Sequence, residues 1–448
     1  MLHVPMPEAP PAHEAHARIS ATCEASFILE SREGPRRLAR FSIVGFAPAG
    51  TITVDQDAIH VTGALPQPSR DQDPIEYLRR VQAFYHVDDH ATPFVGGLVG
   101  SIGHDAIKLI EPTLEDGQAE PWPRLCFGLY LDALVYDHME GTTTYVSRGE
   151  DRSQQLGQLL AQETTRTAPR VGTLDSPVDD TTFIQRVQQA QDEIARGEAF
   201  QIVLSRPFKA QFEGDLGAIY RRLRETEAVP YLYHLRFPER QLLGASPEML
   251  VRVRAETAET FPIAGTRPVT GDAATDDAAG QEMASDRKET AEHAMLVDLA
   301  RNDLNRVCKA GSVAVVAYQE VHRFHRVQHL VSHVRGQLDA HRDAWDALAA
   351  VFPAGTLSGA PKIRALEHIH RLEARARGPY GGAVAYASFN GDFDSAICIR
   401  SLSAQDGTMT VQAGAGITHR SDPQAEADET RHKARALLEA LESFQEAA

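Results

Sequence analysis

An α+β fold is what this 448-residue sequence predicts, on three observations. Through the first 150 residues short apolar runs alternate with Gly, Pro and Asp breaks, the texture of strands and turns. Later segments carry apolar residues at three- and four-residue spacing, the period of a helix buried along one face. The two kinds of segment intermix without a regular β-α-β alternation, which argues against a doubly wound parallel sheet.

In chain order, Phe41 to Phe46 and Leu129 to Tyr136 read as strands. The most apolar stretch, Thr92 to Gly103, is glycine-rich and falls short of the ~18 residues a membrane-spanning helix needs. From Asp151 to about Ala168 the composition turns to Gln, Arg, Thr and Ser, and Pro169, Gly172 and Pro177 follow. A boundary is expected there, between an N-terminal region over 1–170 that contributes strands to a shared fold and a catalytic domain over 178–448.

Past the boundary Thr181 to Arg196 predicts an amphipathic helix, with Phe183, Ile184, Val187, Ala190 and Ile194 on one side. A strand at Phe200 to Leu204, a helix at Glu282 to Asn302, strands at Val313 to Ala317 and Val327 to Val334, and a helix from about Pro361 follow. Strands at Gly382 to Phe389, Ala396 to Leu402 and Met409 to Ala415 precede the final helix. That helix has Ser421 or Asp422 as cap, Pro423 in its first turn, and Ala427, Ala434, Leu437, Leu438 and Leu441 as its apolar stripe.

Composition limits the function. With 42% hydrophobic and 24% charged residues the chain is an ordinary globular one, and 62 acidic against 45 basic side chains leave a net charge of −17. That balance argues against nucleic-acid or anionic-membrane partners, which require clustered Lys and Arg. The first twenty residues lack a basic start followed by an apolar run, so a cytoplasmic location is expected. Cys23, Cys126, Cys308 and Cys398 are too scattered for a disulfide framework or a Cys-x-x-Cys metal site and read as reduced thiols.

Two carboxylate pairs carry chemistry. Glu289 and Glu292 are three apart on one helix, and Glu426 and Glu429 repeat the spacing on the last helix, with Lys433 one turn on. Each pair is either a solvated acidic face or the seat of a hard cation such as magnesium, which takes oxygen ligands. Asp298, Arg301, Asn302 and Asp303 extend the polar run of the first of these helices. Phe352 to Lys362, rich in small residues, offers backbone N–H groups and a lysine to an anion, or is simply a turn. At Ala413 to Ile417 only small residues stand where a strand ends, so a ligand could reach the main chain. The series His322, His325, His329 and His333 invites a zinc reading, but the same stretch reads better as a strand, with one histidine free to act as acid or base.

Several longer phrases then come together. Gly-Ala-Ser-Pro-Glu at 244–248, Pro-Ile-Ala-Gly-Thr-Arg at 262–267, and Lys-Glu-Thr-Ala-Glu-His-Ala-Met-Leu-Val-Asp at 288–298 are the first three. Phe-Pro-Ala-Gly-Thr-Leu-Ser-Gly-Ala-Pro-Lys at 352–362, Pro-Tyr-Gly-Gly at 379–382, Ile399-Arg400 and Glu426-x-x-Glu429 complete the set. In this order they resemble the chorismate-utilising enzymes, most closely the anthranilate-forming branch, over nearly the whole chain.

The resemblance implies two packed antiparallel β-sheets flanked by helices, with Mg2+ as cofactor. It implies that Glu292 and Glu429 are metal ligands and that Glu289 and Glu426 hold metal-bound waters. Tyr380, Arg400, Lys433 and the backbone at Ala415 and Gly416 are then expected to grip the two carboxylates of chorismate, with Ala264, Gly265 and Thr266 also at the substrate. Glu248 is expected to protonate the departing hydroxyl, His329 to serve the later elimination, and Thr356 to sit beside the ring.

The same resemblance bears on the nucleophile. Hydrolytic relatives carry a water-activating lysine where Gln201 stands, and aminodeoxychorismate-forming ones often a lysine where Ala264 stands, so ammonia and anthranilate are implied, with aminodeoxychorismate as the alternative. A separate glutamine amidotransferase subunit is expected to supply the ammonia, because none of the four cysteines sits on a tight glycine turn. Leu29, Glu30, Ser31 and, past Ala39, Arg40 resemble one half of a tryptophan feedback site, and Pro230, Tyr231 and Leu232 the other. Leu232 replaces the usual methionine, and Glu227-Ala228-Val229 departs from the usual pattern before it.

Overall fold

The alternating apolar residues of the strand segments are buried on both faces of two large antiparallel sheets. We describe residues 1–32, 40–114, 122–163, 167–324 and 327–445 of a computed structural model; Ala39 and His325 lie outside them. Among the described residues twelve strands form one sheet and eleven the other. The expected α+β class, two antiparallel sheets flanked by helices, is the observed one.

Three apolar layers result. Phe27, Ile43, Val135 and Tyr233 of the first sheet meet Val99, Tyr130, Val384 and Tyr386 of the second, filling the space between the sheets. The outer face of the first sheet is covered by helices Ala12–Thr22, Gly217–Thr226 and Pro423–Glu442. That of the second is covered by Pro74–Phe84 and Ala344–Val351, with Trp345 buried among the strands.

The expected segments 1–170 and 178–448 share both sheets. Strand Ser26–Glu30 pairs with Tyr231–Phe237, and Gly97–Ile102 pairs with Ala383–Ser388, so early strands lie deep inside each sheet. The helix Asp180–Ala195 forms where expected, capped by the Asp179 carboxylate on the Thr182 N–H. The last helix, Pro423–Glu442, is capped by Asp422.

Other boundaries move. The segment expected as one helix, Glu282 to Asn302, is two, Ala273–Ser285 and Arg287–Asn305, because Asp286 leaves helical geometry and its carboxylate accepts from the N–H groups of Lys288 and Glu289. The strand expected over Ala396 to Leu402 divides into Phe393–Ile397 and Ser401–Gln405, with Arg400 between them at φ 48°. Leu129 to Tyr136 likewise belongs to two strands, Leu125–Tyr130 and Asp132–Asp137. The strand expected to end at Leu204 runs over Gln201–Glu213, pairing with Thr408–Ile417.

Candidate active site

A cavity of about 480 Å³ opens where the paired strands Gln201–Glu213 and Thr408–Ile417 meet the helices Arg287–Asn305 and Pro423–Glu442. The i, i+3 spacing puts each carboxylate pair on one face, and both faces point here: Glu289, Glu292, Glu426 and Glu429 all line the cavity. Glu426 is pushed up from the usual carboxylate range by burial, with the Glu429 charge adding to the effect and a hydrogen bond from Ser421 opposing it. The Lys433 ammonium lies 2.6 Å from Glu429 and also donates to the Gly414 carbonyl at 3.2 Å. Arg267 pairs with Glu289 at 3.3 Å, while Gln201 donates to Glu292 at 3.4 Å. Among the described residues no three of these glutamates bring their oxygens within 4.8 Å of one another, and two of them are paired with a cation, Glu289 with Arg267 and Glu429 with Lys433.

Glu248 follows the strand Arg240–Ser246 and lies half-buried in the wall of this cavity. Burial holds its carboxyl up at about 8, against the pull of a Thr356 hydrogen bond and the charges of Lys433 and Arg400. Thr356 Oγ1 donates to Glu248 Oε1 at 3.2 Å from the one-turn helix Gly355–Ser358. A carboxyl in this state is protonated at neutral pH and can give up its proton.

Across the cavity His329, on the strand Val327–Gln337, is buried, and Nδ1 lies 2.8 Å from the Gly265 carbonyl and 3.1 Å from Thr266 Oγ1. A carbonyl only accepts, so Nδ1 carries the hydrogen and Nε2 is left as the basic atom. Burial lowers the His329 pKa, so the ring is neutral near pH 7. Gly265 has φ 67°, and a Cβ there would meet Met283 at 3.0 Å and Glu289 at 3.2 Å, so the turn that presents its carbonyl requires glycine.

Arg400 and Tyr380 complete the lining. The Arg400 guanidinium makes no hydrogen bond to another described residue and lies near Glu248, which suits it to an anionic ligand. A Cβ on Gly414 would stand 2.7 Å from the Tyr380 hydroxyl, so the strand must be bare there for the tyrosine to lie across it. Ala264, Gly265, Thr266 and Gly416 also line the cavity.

Some expected residues lie elsewhere. Ala415 turns its side chain into the core, opposite the face bearing Gly414 and Gly416, as strand alternation requires. Lys362 is not offered to an anion: its ammonium is held by Asp303 at 2.9 Å and the Val351 carbonyl at 2.8 Å. Asp303 therefore serves Lys362, and Asp298 pairs with Arg301 at the surface. His333 stacks on Phe261 and bonds Glu259, and His322 bonds Glu320, so the described members of the histidine series do not converge. Lys288 and Gln412, which also line the cavity, were missed. Lys288 had a signal, its place beside Glu289, whereas Gln412 sits mid-strand with none.

Outside this cavity, His104, Asp105 and His370 bring ligand atoms within 4.8 Å of one another. Arg377 and Lys108 lie close enough to depress His104 further than burial alone, and cations so placed oppose a dication.

A second, mostly apolar cavity lies between the sheets, lined by Leu29, Glu30, Ser31, Pro230, Tyr231 and Leu232 from the first and Val384, Tyr386 and Ser395 from the second. The Glu30 carboxylate is held by Arg224 at 2.8 Å and by the Tyr220 hydroxyl at 3.0 Å. Tyr231 donates to Asp394, itself paired with Arg252. Arg40 does not line this cavity; it is paired with Asp137 at 2.6 Å.

Two antiparallel sheets that gather an acidic wall, a protonated carboxyl, a neutral imidazole and the Arg400 guanidinium, unpaired among the described residues, in one cleft define an enzyme for a small anionic molecule. A profile described as chorismate binding enzyme matches residues 24–439, and the chain belongs to that family. Within it the chain is 42% identical to anthranilate synthase component 1 of Methanothermobacter thermautotrophicus over 96% of its own length and 92% of that protein. The crystal structure of anthranilate synthase component I from Streptococcus pneumoniae superposes with a TM-score of 0.78 at 35% identity, covering 90% of this chain and 93% of that one. The menaquinone-specific isochorismate synthase of Escherichia coli shares the fold at a TM-score of 0.75 and 20% identity, over 98% and 94% of the two chains.

Proposed function

We propose that the chain converts chorismate and ammonia to anthranilate, pyruvate and water, and that it works with a separate glutamine amidotransferase subunit as the ammonia source. The observation that carries the reading is Glu248, a desolvated carboxyl still protonated at neutral pH and hydrogen-bonded to Thr356 beside Arg400. Expelling the C4 hydroxyl of chorismate as water requires such a proton donor while ammonia forms its bond at C2. Gln201, an amide, has no basic amine with which to activate water in ammonia's place. His329 Nε2 then takes the C2 proton as the C3–O bond breaks, releasing the side chain as pyruvate and leaving an aromatic ring. Arg400, Lys433 and Tyr380 hold the carboxylates.

The four glutamates suit Mg2+, because their oxygens are hard donors and Glu426, raised chiefly by burial and further by the Glu429 charge, is a carboxylate whose ionised form a dication would favour. Glu292 and Glu429 would be its ligands, with Glu289 and Glu426 positioned for its waters. When bound, the ion neutralises carboxylate charge on the substrate.

For the second cavity we read tryptophan as the inhibitor, on its apolar lining by Leu29, Pro230 and Leu232 together with Ser31. No described helix is long and apolar enough to cross a membrane. Product identification after incubation with chorismate, Mg2+ and ammonium tests the assignment: anthranilate is expected, and aminodeoxychorismate would replace the reading with its alternative.

A further inference from the structure

Behind the active site, and not touching it, lies a buried ion pair that the mechanism does not use. Glu373, the last residue of the helix Lys362–Glu373, and Arg377, four residues on, have side chains exposed by 0% and 1%. Arg377 Nε donates to one Glu373 oxygen at 3.0 Å and Nη2 to the other at 2.6 Å. The remaining donors leave the pair: Nη2 reaches the Val203 carbonyl and Nη1 the Leu357 carbonyl, both at 2.7 Å. The Arg377 guanidinium also lies 5.8 Å from the centre of the Tyr380 ring. Glu373 in turn accepts from the N–H and hydroxyl of Ser205, and that hydroxyl accepts from Gln412.

The recipients are separate walls of the cavity. Val203 follows Gln201 on its strand, Leu357 follows Thr356 on the one-turn helix, and all four line the site together with Tyr380 and Gln412. A four-residue helix has no length with which to fix its own orientation. Its one tie to this network is the Leu357 carbonyl, held from behind by a planar fork whose other arms grip a strand and a buried carboxylate.

We propose that Arg377 is a positioning residue: from outside the cavity it sets the turn that carries Thr356, and through Thr356 the donor geometry of Glu248. This rests on the reading of Glu248 and Thr356 as active-site groups. Lysine at 377 keeps the charge opposite Glu373 but lacks the fork, so it cannot serve Glu373, Val203 and Leu357 together. Of the residues read as holding the chorismate carboxylates, Arg377 approaches only the ring of Tyr380 and makes no hydrogen bond to any of them, so chorismate binding should feel the change less than the proton donor does.

The test is Arg377→Lys alone, Thr356→Val alone and the pair combined, in the full chain with chorismate, Mg2+ and ammonium. Expected for Arg377→Lys is kcat lower by about 10- to 100-fold with KM for chorismate changed by less than about threefold. In the Thr356→Val background the same change should cost little more, because the residue it acts through is already disabled. The pH profile gives a further readout. Thr356, Lys433 and Arg400 are the groups that hold Glu248 down, so a misplaced Thr356 moves the alkaline limb to higher pH.

Penalties that multiply in full, or KM rising in proportion as kcat falls, would overturn the proposal in favour of a general structural role. Should Arg377→Lys not fold, Glu373→Gln replaces it in the same cycle with the same criteria, since it loosens the fork while leaving both carbonyl contacts. Failure of the underlying reading looks different: the unmodified chain would then form no anthranilate at all.

Discussion

Glu248→Gln should cut turnover steeply and at the same time stabilise the fold, with a gain that depends on pH. Because burial raises this carboxyl from 4.5 to about 8, the folded chain keeps a proton that the unfolded chain releases between those values. Fewer protons bound in the unfolded state mean that stability falls as pH rises through the window, and the penalty is full above about 8 and absent well below 4.5. At about 1.4 kcal/mol for each factor of ten, Glu248 costs the fold about 4 kcal/mol at pH 7.5 and about 1 kcal/mol at pH 5. Glutamine has almost the same shape, can still accept from Thr356, and never ionises.

Urea unfolding of both proteins at the two pH values is the assay. The advantage of the variant should be about 3 kcal/mol larger at pH 7.5 than at pH 5. Anthranilate fluorescence should meanwhile show a loss of about 100- to 10,000-fold in kcat, the scale of a missing general acid. An advantage equal at both pH values, or retained turnover, would refute the account of Glu248 as a carboxyl held neutral for catalysis.

Further outcomes follow from the other walls of the cleft. His329→Ala should accumulate the amino intermediate in place of anthranilate, seen by chromatography, and unchanged anthranilate output would remove His329 from the elimination. Glu429→Gln should lose Mg2+-dependent turnover while its circular dichroism stays native; normal activity would refute the metal assignment. Ser31→Phe, which fills the cavity between the sheets, should raise the tryptophan concentration for half-inhibition by about tenfold or more, a loss of about 1.4 kcal/mol. Lys362→Met should destabilise by about 3–5 kcal/mol, measured by chemical denaturation, because it strands Asp303 as an unpaired buried carboxylate. A change below about 1 kcal/mol would show the pair to be solvated.

Local periodicity and capping determined much of this protein. Glu289 with Glu292, and Glu426 with Glu429, had to share helix faces because three residues is close to one turn, and Asp179 and Asp422 start their helices by accepting from N–H groups three residues on. The ordered motifs likewise pointed to chorismate from residue identity alone. Only the tertiary structure decided what those faces meet. Glu292 and Glu429 share a cavity because the long pairing of Gln201–Glu213 with Thr408–Ile417 brings their helices together, and such a register is a property of strands far apart in sequence. Lys362 looked available and was claimed by Asp303, and Arg40 by Asp137, since a charge finds its partner in space. Arg377 carried no signal of its own, because a guanidinium becomes a clamp only when the fold delivers the Val203 and Leu357 carbonyls to it. The proton on Glu248 was settled the same way: burial, which no stretch of sequence encodes locally, is what holds a glutamate neutral.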